Sequence, residues 1–295
     1  MITSSKASKI IPHVVLIIMT LLSVTPIILL AMASITDEQE LMLRGYSFFP
    51  RAFSVEAYRY IFKASQTIIR AYIITICITA IGTLINVAFT IFLAYPLSRP
   101  IKGRNAIAFF VFFTMLFNGG LVPTYIMYSQ VYHIRDTIFA LLVPSLMMSA
   151  FNVILMRNFF KSNIPDAILE AAKVDGASEM QILTNIALPL STPIIGTVAL
   201  MSGLAYWNDW INGLYYLVRR TDYYNIQNIL TNMLNNIQFL KSSAQLQGVN
   251  IELGAIPSGG IRMAVAVIAI IPVLIVYPFI QKSFVKGIVI GGVKG

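Results

Sequence analysis

The amino-acid sequence predicts an all-α membrane protein with about six transmembrane helices. Its 295 residues are 57% hydrophobic and only 11% charged. The run Ile10–Ala33 is longer than the roughly 20 apolar residues that a helix needs to cross a bilayer. It is also too long for the apolar part of a signal peptide, although Lys6 and Lys9 precede it. A soluble domain of this size could not bury such runs.

Five further apolar runs follow the first, which gives the predicted total of about six spans. They lie near Ile68–Ala94, Ile107–Met127, Ile138–Met156, Ile186–Leu217 and Met263–Phe279. An even number of spans places both chain termini on the same side of the membrane.

Basic residues in the connections between spans indicate which side that is. Short loops on the cytoplasmic side are usually enriched in Lys and Arg. The opposite loops, within 44–70 and 219–262, hold nearly as many basic residues, but they are longer and carry more acids. The side that contains both termini is therefore predicted to be cytoplasmic. Its basic residues are Lys6, Lys9, Arg99, Lys102, Arg104, Arg157, Lys161, Lys173, Lys282, Lys286 and Lys294.

The composition excludes several functional classes. The net charge of +9 is spread over membrane-flanking loops without interleaved aromatic residues, so we expect contacts with anionic membrane lipid and none with nucleic acid. There is no Walker A sequence, and the two histidines, His13 and His133, are far apart. We therefore expect no catalytic, cofactor or metal site, and no ATP hydrolysis by this chain. Asp209 is the only clear ionisable residue within a span, which argues against an ion-coupled carrier.

A polar segment between two apolar spans, at about 163–189, has strong local signals. Pro165 suits the first turn of a helix and Asp166 complements its positive end. Gly176 permits the left-handed turn that ends this helix. Ser178 and Gln181 match a capping box for a second helix over about 179–187, which Pro189 is expected to break.

The same segment resembles the EAA loop of binding-protein-dependent ABC importer permeases. The resemblance is carried by Glu170-Ala171-Ala172, Gly176, Ile186 and Leu188-Pro189, with all spacings matched. It implies a coupling helix that sits in a cleft of an ATPase subunit; the alternative is an ordinary amphipathic connector. The residues implied in ATPase coupling are Glu170, Ala171, Ala172, Asp175, Gly176, Ile186, Leu188 and Pro189.

The likeness extends over nearly the whole chain, which is similar to the maltose-type carbohydrate permeases. The matching motifs are Phe48-Phe49-Pro50, Glu56-Ala57-Tyr58, the stretch 119–125 (GGLVPTY) and Trp207-Asn208-Asp209-Trp210. The strip 256–264 (IPSGGIRMA), with 277–279 and 284–287, resembles the branch associated with complex oligosaccharides and polysaccharide fragments. Gly259 departs from that branch, where an acid is expected.

This resemblance implies a type I ABC importer permease fold, with residues 1–295 as a single transmembrane permease domain in the bacterial inner membrane. The chain would import oligosaccharides or polysaccharide fragments by alternating access. It would form a heterodimer with a second permease subunit and bind two copies of an ATPase subunit, which hold ATP and Mg. An extracytoplasmic solute-binding protein would deliver the sugar.

Polar residues within the spans are candidates for a sugar path. On the second span a stripe at helical spacing runs through Thr75, Thr79, Thr83, Asn86 and Thr90; it could line a wet path or bond neighbouring helices. Asn118-Gly119-Gly120 interrupts the third span, which predicts a bend near the path or a close-packing site.

On the fifth span, Asn208, Asn212 and Tyr215 are expected to share a face beside Tyr206 and Asp209. Aromatic rings with amides or carboxylates suit sugars, but an interfacial aromatic belt would read the same way. The path candidates are therefore Thr79, Asn86, Asn118, Tyr206, Asn208, Asp209, Asn212 and Tyr215.

The external loop at about 219–260 is rich in Tyr, Asn and Gln and long for a simple connector. It could face the solute-binding protein or form a partly helical solvated loop. The main functional alternative to an ABC permease is a secondary sugar carrier or channel that works without an ATPase.

Overall fold

The computed structural model describes residues 6–63, 65–246 and 258–291, which are mostly helical. Residues 247–257 of the predicted external loop, including Ile256 and Pro257, and Lys294 in the tail lie outside the described residues, and nothing is described of the side chains of Lys282 and Lys286. The helices are α1 (Lys6–Ser34), α2 (Glu38–Arg44), α3 (Glu56–Phe62), α4 (Ser65–Ser98), α5 (Arg104–Leu116), α6 (Leu121–Ile126), α7 (Phe139–Leu142), α8 (Ala150–Asn163), α9 (Asp166–Val174), α10 (Glu179–Ile182), α11 (Leu188–Leu190), α12 (Thr192–Trp207), α13 (Ile211–Tyr216), α14 (Ile226–Leu246) and α15 (Ser258–Gly291). Two π-helical turns, Met127–Val131 and Leu183–Ala187, and a 3₁₀ turn, Thr221–Tyr223, complete them.

The chain divides into two compact units. The first comprises Met1–Ile68 and Leu230–Val273, and the second comprises Ile69–Ile229 and Leu274–Gly295.

In the first unit, a carboxylate from α2 holds the start of α15. Glu38 accepts hydrogen bonds from the backbone N–H groups of Gly259 and Gly260, each at 2.8 Å. These N–H groups have no partner inside their own helix, and the positive end of a helix favours a negative charge. Gly259, where the resemblance led us to expect an acid, therefore lies beside a carboxylate that comes from elsewhere in the sequence.

In the second unit, the long helix α4 is the central element. Among the described residues, Ile10–Ser34 and Gln66–Ser98 are the two helices long and apolar enough to cross a membrane without interruption. Two bent pairs meet the same test as broken spans or re-entrant loops: Arg104–Leu116 with Leu121–Val131, at 112°, and Glu179–Leu190 with Thr192–Trp207, at 81°. The last predicted span lies within α15.

The predicted interruption of the third span at Asn118–Gly120 is confirmed, since α5 ends at Leu116 and α6 begins at Leu121. Asn118 accepts a hydrogen bond from the N–H of Gly120 through its side-chain oxygen, at 2.9 Å, and Gly120 has φ +87°. This local turn redirects the chain because glycine adopts a positive φ without steric cost.

The fourth apolar run, near 138–156, is not one helix. α7 ends at Leu142 and α8 begins at Ala150, with a non-helical stretch between them. Pro144 cannot donate a helical hydrogen bond, and Ser145 has φ +61°. Apolar composition alone predicted a continuous span here, because composition does not show which backbone groups form helical hydrogen bonds.

Candidate functional site

The polar segment 163–189 begins as the sequence predicted. α9 starts at Asp166 after Pro165 and ends at Val174, and Gly176 has φ +82°. The N–H of Ala177 donates to the carbonyl of Ala172 at 2.9 Å across this turn, which is the six-to-one bond of a Schellman motif. Because no atom lies within 4 Å of a Cβ built at Gly176, its requirement for glycine is conformational and not steric.

The second helix of the segment begins with the predicted capping box. The Ser178 hydroxyl accepts from the N–H of Gln181, and the Gln181 side chain accepts from the N–H of Ser178 at 2.8 Å. The prediction that Pro189 breaks this helix is wrong, since helical structure continues to Leu190. The preceding π-helical turn, in which Leu188 donates to Leu183, shifts the hydrogen-bond pattern so that proline is accommodated. The chain bends instead at Ser191.

α9 presents two different faces. Leu169 is buried in the hydrophobic core of the second unit, and Ala172 packs against that core. On the remaining surface, Ile168 is 45% exposed and Val174 is 88% exposed. Apolar side chains so exposed on a short polar connector are suited to contact with another protein.

The residues implied in ATPase coupling divide between these two environments. Glu170, Ala171, Asp175, Gly176 and Pro189 are exposed. Ala172, Ile186 and Leu188 pack against the core of their own chain.

A polar cluster joins this segment to the end of α4. Lys173 and Glu179 form an ion pair at 2.6 Å across the Gly176 turn, and Glu179 also accepts from the hydroxyl of Tyr95 at 3.2 Å. The hydrogen bond from Lys173 is the main cause that lowers the pKa of Glu179 below its ordinary value of 4.5. Arg99 lies over the ring of Tyr95, 5.0 Å from its centre, and pairs with Asp166 at 3.5 Å. Tyr95, Arg99, Lys173 and Glu179 border a cavity of about 450 Å³.

Two of the path candidates lie on α4, and their surroundings differ. Asn86 is 2% exposed and donates through its side-chain nitrogen to the carbonyl of Leu146 at 2.8 Å. Its side-chain oxygen accepts from the hydroxyl of Ser202 at 2.7 Å, and Asn152 donates to that same hydroxyl at 3.3 Å. Thr79 is half-buried, and its hydroxyl has no hydrogen-bond partner within the described part of the chain.

Two other path candidates, on α12 and α13, donate hydrogen bonds to the interrupted fourth run. The hydroxyl of Tyr206 donates to the carbonyl of Leu142 at 2.8 Å, and the side chain of Asn212 donates to the carbonyl of Pro144 at 3.0 Å. Both residues are buried, at 2% and 6% exposure.

The expectation that Asn208, Asn212 and Tyr215 share one helix face is wrong for Asn208. α12 ends at Trp207 and α13 begins at Ile211, so Asn208 precedes the helix that carries both Asn212 and Tyr215. The Asp209 carboxylate accepts from the N–H groups of Ile211 and Asn212, both at 3.2 Å, and so starts the new helix. Asn208 bonds back to the carbonyl of Leu204 in its own helix at 2.9 Å, and Tyr215 is half-buried among aromatic neighbours.

Sequence reasoning missed several residues that the structure brings together. Tyr95 and Glu179 are 84 positions apart, and Asn86 and Ser202 are 116 positions apart. No local pattern connects them. The Pro144-Ser145 pair in the fourth run was a turn signal that could have revealed the break.

The chain is similar to known transport permeases over most of its length. Residues 86–290 match the family model described as "Binding-protein-dependent transport system inner membrane component". Protein LplC of Bacillus subtilis (strain 168) is 38% identical over 275 residues, covering 93% of this chain and 90% of that protein. The polygalacturonan/rhamnogalacturonan transport system permease protein YtcP of the same organism is 38% identical over 284 residues, covering 95% and 96%.

A solved structure gives the same result for the fold. It is a bacterial ABC transporter involved in the import of the acidic polysaccharide alginate, with a TM-score of 0.77 and 30% identity, covering 95% of this chain and 98% of that one. The matched family and YtcP are membrane components of transport systems and not enzymes, and together with the solved ABC transporter they favour an ABC importer over a carrier without an ATPase. Such a system implies an ATPase and a binding protein as partners and a multi-pass location in a membrane. The chain belongs to the family of binding-protein-dependent transport system inner membrane components and is a permease subunit of an ABC importer.

Proposed function

We propose that this permease imports complex saccharides as one half of a heterodimer, with α9 as its coupling helix. The observation that carries the proposal is that α9 is fixed in the core through Leu169 while Ile168 and Val174 are exposed on the rest of its surface. Fully burying an aliphatic side chain of this size contributes about 1.5–3 kcal/mol. A cleft on an ATPase that covers these two residues would therefore gain useful affinity and would be mechanically linked to the core.

The fixed face makes α9 suitable for transmitting movement. Because Leu169 and Ala172 pack with residues of α4, α8 and α12, a displacement of α9 strains the core of the unit. Close-packed interiors respond by moving whole elements and not by local compression. Closure of two ATPase copies around ATP and Mg would thus tilt the spans and open the path alternately to each side.

Orientation follows from the same contact. An ATPase that uses cellular ATP works in the cytoplasm, so the 163–189 loop must lie there, together with both termini if the number of spans is even. The basic residues Arg99, Lys102 and Lys173 on this side agree with the positive-inside tendency, and they also suit anionic lipid.

The substrate class is inferred from the relatives. YtcP is named for polygalacturonan and rhamnogalacturonan, and the solved structure for the acidic polysaccharide alginate. The arabinooligosaccharides transport permease AraQ of Bacillus subtilis (strain 168) is 25% identical over 290 residues, covering 94% of this chain and 92% of that protein. We infer oligosaccharides or polysaccharide fragments as the cargo, delivered by an extracytoplasmic binding protein that the second permease and the 219–260 loop would help to receive.

The test is purification of the tagged chain from its native membranes in mild detergent. Mass spectrometry should find an ATPase and a second permease, and the complex in vesicles should take up galacturonate oligosaccharides only with ATP. Gly176→Pro should lose the ATPase, because proline fixes φ near −65° where the chain needs +82°. Gly45→Pro is the matched control, since Gly45 also has a positive φ (+73°) and a bonded N–H but lies in the first unit. Uptake by the chain alone without ATP would overturn the proposal.

A further inference from the structure

The non-helical stretch between α7 and α8, residues 143–149, belongs to the second unit. The ring of Tyr206, whose hydroxyl bonds Leu142, covers Gly82 so closely that a Cβ there would lie 2.4 Å from it. Gly82 is the central residue of the span Gln66–Ser98, about 24 Å from either end at 1.5 Å per residue. Because Asn86, one turn further along, bonds Leu146, the stretch lies level with the middle of this candidate span, and so within the hydrocarbon region if the helix crosses the membrane.

On one side, backbone carbonyls of this stretch and of the residue before it are hydrogen-bonded to side chains of the protein. The carbonyls of Leu142, Pro144 and Leu146 accept hydrogen bonds from three side chains, those of Tyr206, Asn212 and Asn86. All three donors are buried. A carbonyl left unpaired in an apolar interior costs several kcal/mol, so these donors keep the break stable at that depth.

The other side of the stretch is open. Ser145 is exposed in a left-handed conformation, φ +61°, and Met148 is 45% exposed. A left-handed backbone is unfavourable for a non-glycine residue, because its Cβ comes too close to a backbone carbonyl oxygen. Irregular backbone is not found against lipid within the hydrocarbon region; it occurs where it is buried in protein or lines a water-filled cavity. The open side of 143–149 therefore faces either water or another protein.

We propose that Ser145 lines the water-filled transport path and offers its hydroxyl, with the neighbouring backbone, to passing saccharide hydroxyls. An exposed polar residue in a strained backbone conformation is better suited to the wall of a water-filled path than to a closely packed protein contact. Asn86, Tyr206 and Asn212 are then positioning residues that hold the wall from behind and do not touch the sugar. This inference rests on the function proposed above, because it requires a path for a polar solute.

The test is the accessibility of a cysteine at position 145 to a charged, membrane-impermeant methanethiosulfonate reagent. Ser145→Cys is made in a Cys77→Ala background, because Cys77 is a free, exposed cysteine. The control is Leu84→Cys, an apolar position on α4 that is 71% exposed at nearly the same depth. The assembled transporter is used in vesicles, with the reagent applied to each side in turn.

We expect Ser145→Cys to react about tenfold faster than Leu84→Cys from at least one side, since only a hydrated thiol ionises to the reactive thiolate. Modification should also block ATP-driven uptake. Reaction no faster than at Leu84→Cys would overturn the inference and indicate contact with the partner permease. Met148→Cys repeats the test if Ser145→Cys is not produced. Normal uptake with unreactive cysteines would contradict only the inference, whereas absence of ATP-driven uptake in the wild type would contradict the proposed function.

Discussion

Two turns in the second unit satisfy the hydrogen-bonding groups of their backbone in different ways. At 174–178 the chain reverses with Gly176 at φ +82°, closed by the Ala177-to-Ala172 bond and the Ser178 capping box. At 143–149 it turns with a serine at φ +61°, and the donors to its carbonyls come from distant helices. A water-exposed turn can be satisfied locally and by solvent, but a turn inside a membrane needs donors from other helices.

The largest expected difference between the two turns comes from removing a hydrogen-bond donor that is distant in sequence from the turn it stabilises. Asn86→Leu leaves the Leu146 carbonyl without its donor and the Ser202 hydroxyl without its acceptor, although Asn152 still donates to that hydroxyl. The cost is about 1–3 kcal/mol for each buried group left unpaired. We expect a clear fall in the thermal stability of the detergent-solubilised complex. Asn208→Leu is the control, because Asn208 is exposed and, within the described residues, its side chain bonds only the carbonyl of Leu204 in the preceding helix; it should change stability by less than about 0.5 kcal/mol. Equal effects would show that the break does not depend on Asn86.

A second prediction concerns the space that one donor needs. Gly82→Ala places a Cβ 2.4 Å from the ring of Tyr206, which would displace the hydroxyl from the Leu142 carbonyl. We expect a loss of about 1–3 kcal/mol by overpacking. At Gly203 the nearest atom to an added Cβ is the Thr83 hydroxyl, at 3.4 Å, so Gly203→Ala should be milder. Thermal unfolding of both variants measures the difference, and an unchanged Gly82→Ala melting temperature would contradict the packing seen here.

The smallest expected effect is at the water-exposed turn. The Lys173–Glu179 pair is more than half exposed, so Glu179→Gln should cost at most about 1 kcal/mol, and less in high salt. The pKa of Glu179 is lowered in the folded protein, so its contribution is present above the ordinary value of 4.5 and is lost as pH falls through the lower folded value. The protection of amides across 174–181 from hydrogen exchange, taken relative to the intrinsic exchange rate at each pH, should therefore decrease below about pH 4.5 in the wild type. A decrease of the same size in Glu179→Gln would assign the pH effect to other groups.

Much of the coupling segment could be predicted from the sequence because its determinants are local. Proline and aspartate begin α9, glycine ends it, and Ser178 with Gln181 begins the next helix; all lie within a few residues of the structure they specify. The prediction for Pro189 was wrong because no local sequence signal announced the π-helical turn before it, in which Leu183 and Ala187 lie in the core. The location of α9's exposed face likewise required the tertiary structure.

The sequence by itself determined the class of protein and the family, because apolar length and short motifs are properties of the chain and need no partner. Only the tertiary structure decided what the polar residues within the spans do. In the sequence, Asn86, Tyr206 and Asn212 are candidates for a sugar path, with helix contacts or an interfacial belt as the alternatives; in the structure each donates to a carbonyl of the same interrupted segment. Helical spacing predicts the side of a helix on which an amide lies. The hydrogen-bond partner of that amide depends on which neighbouring helix is interrupted beside it, and neighbouring helices are determined only when the chain packs.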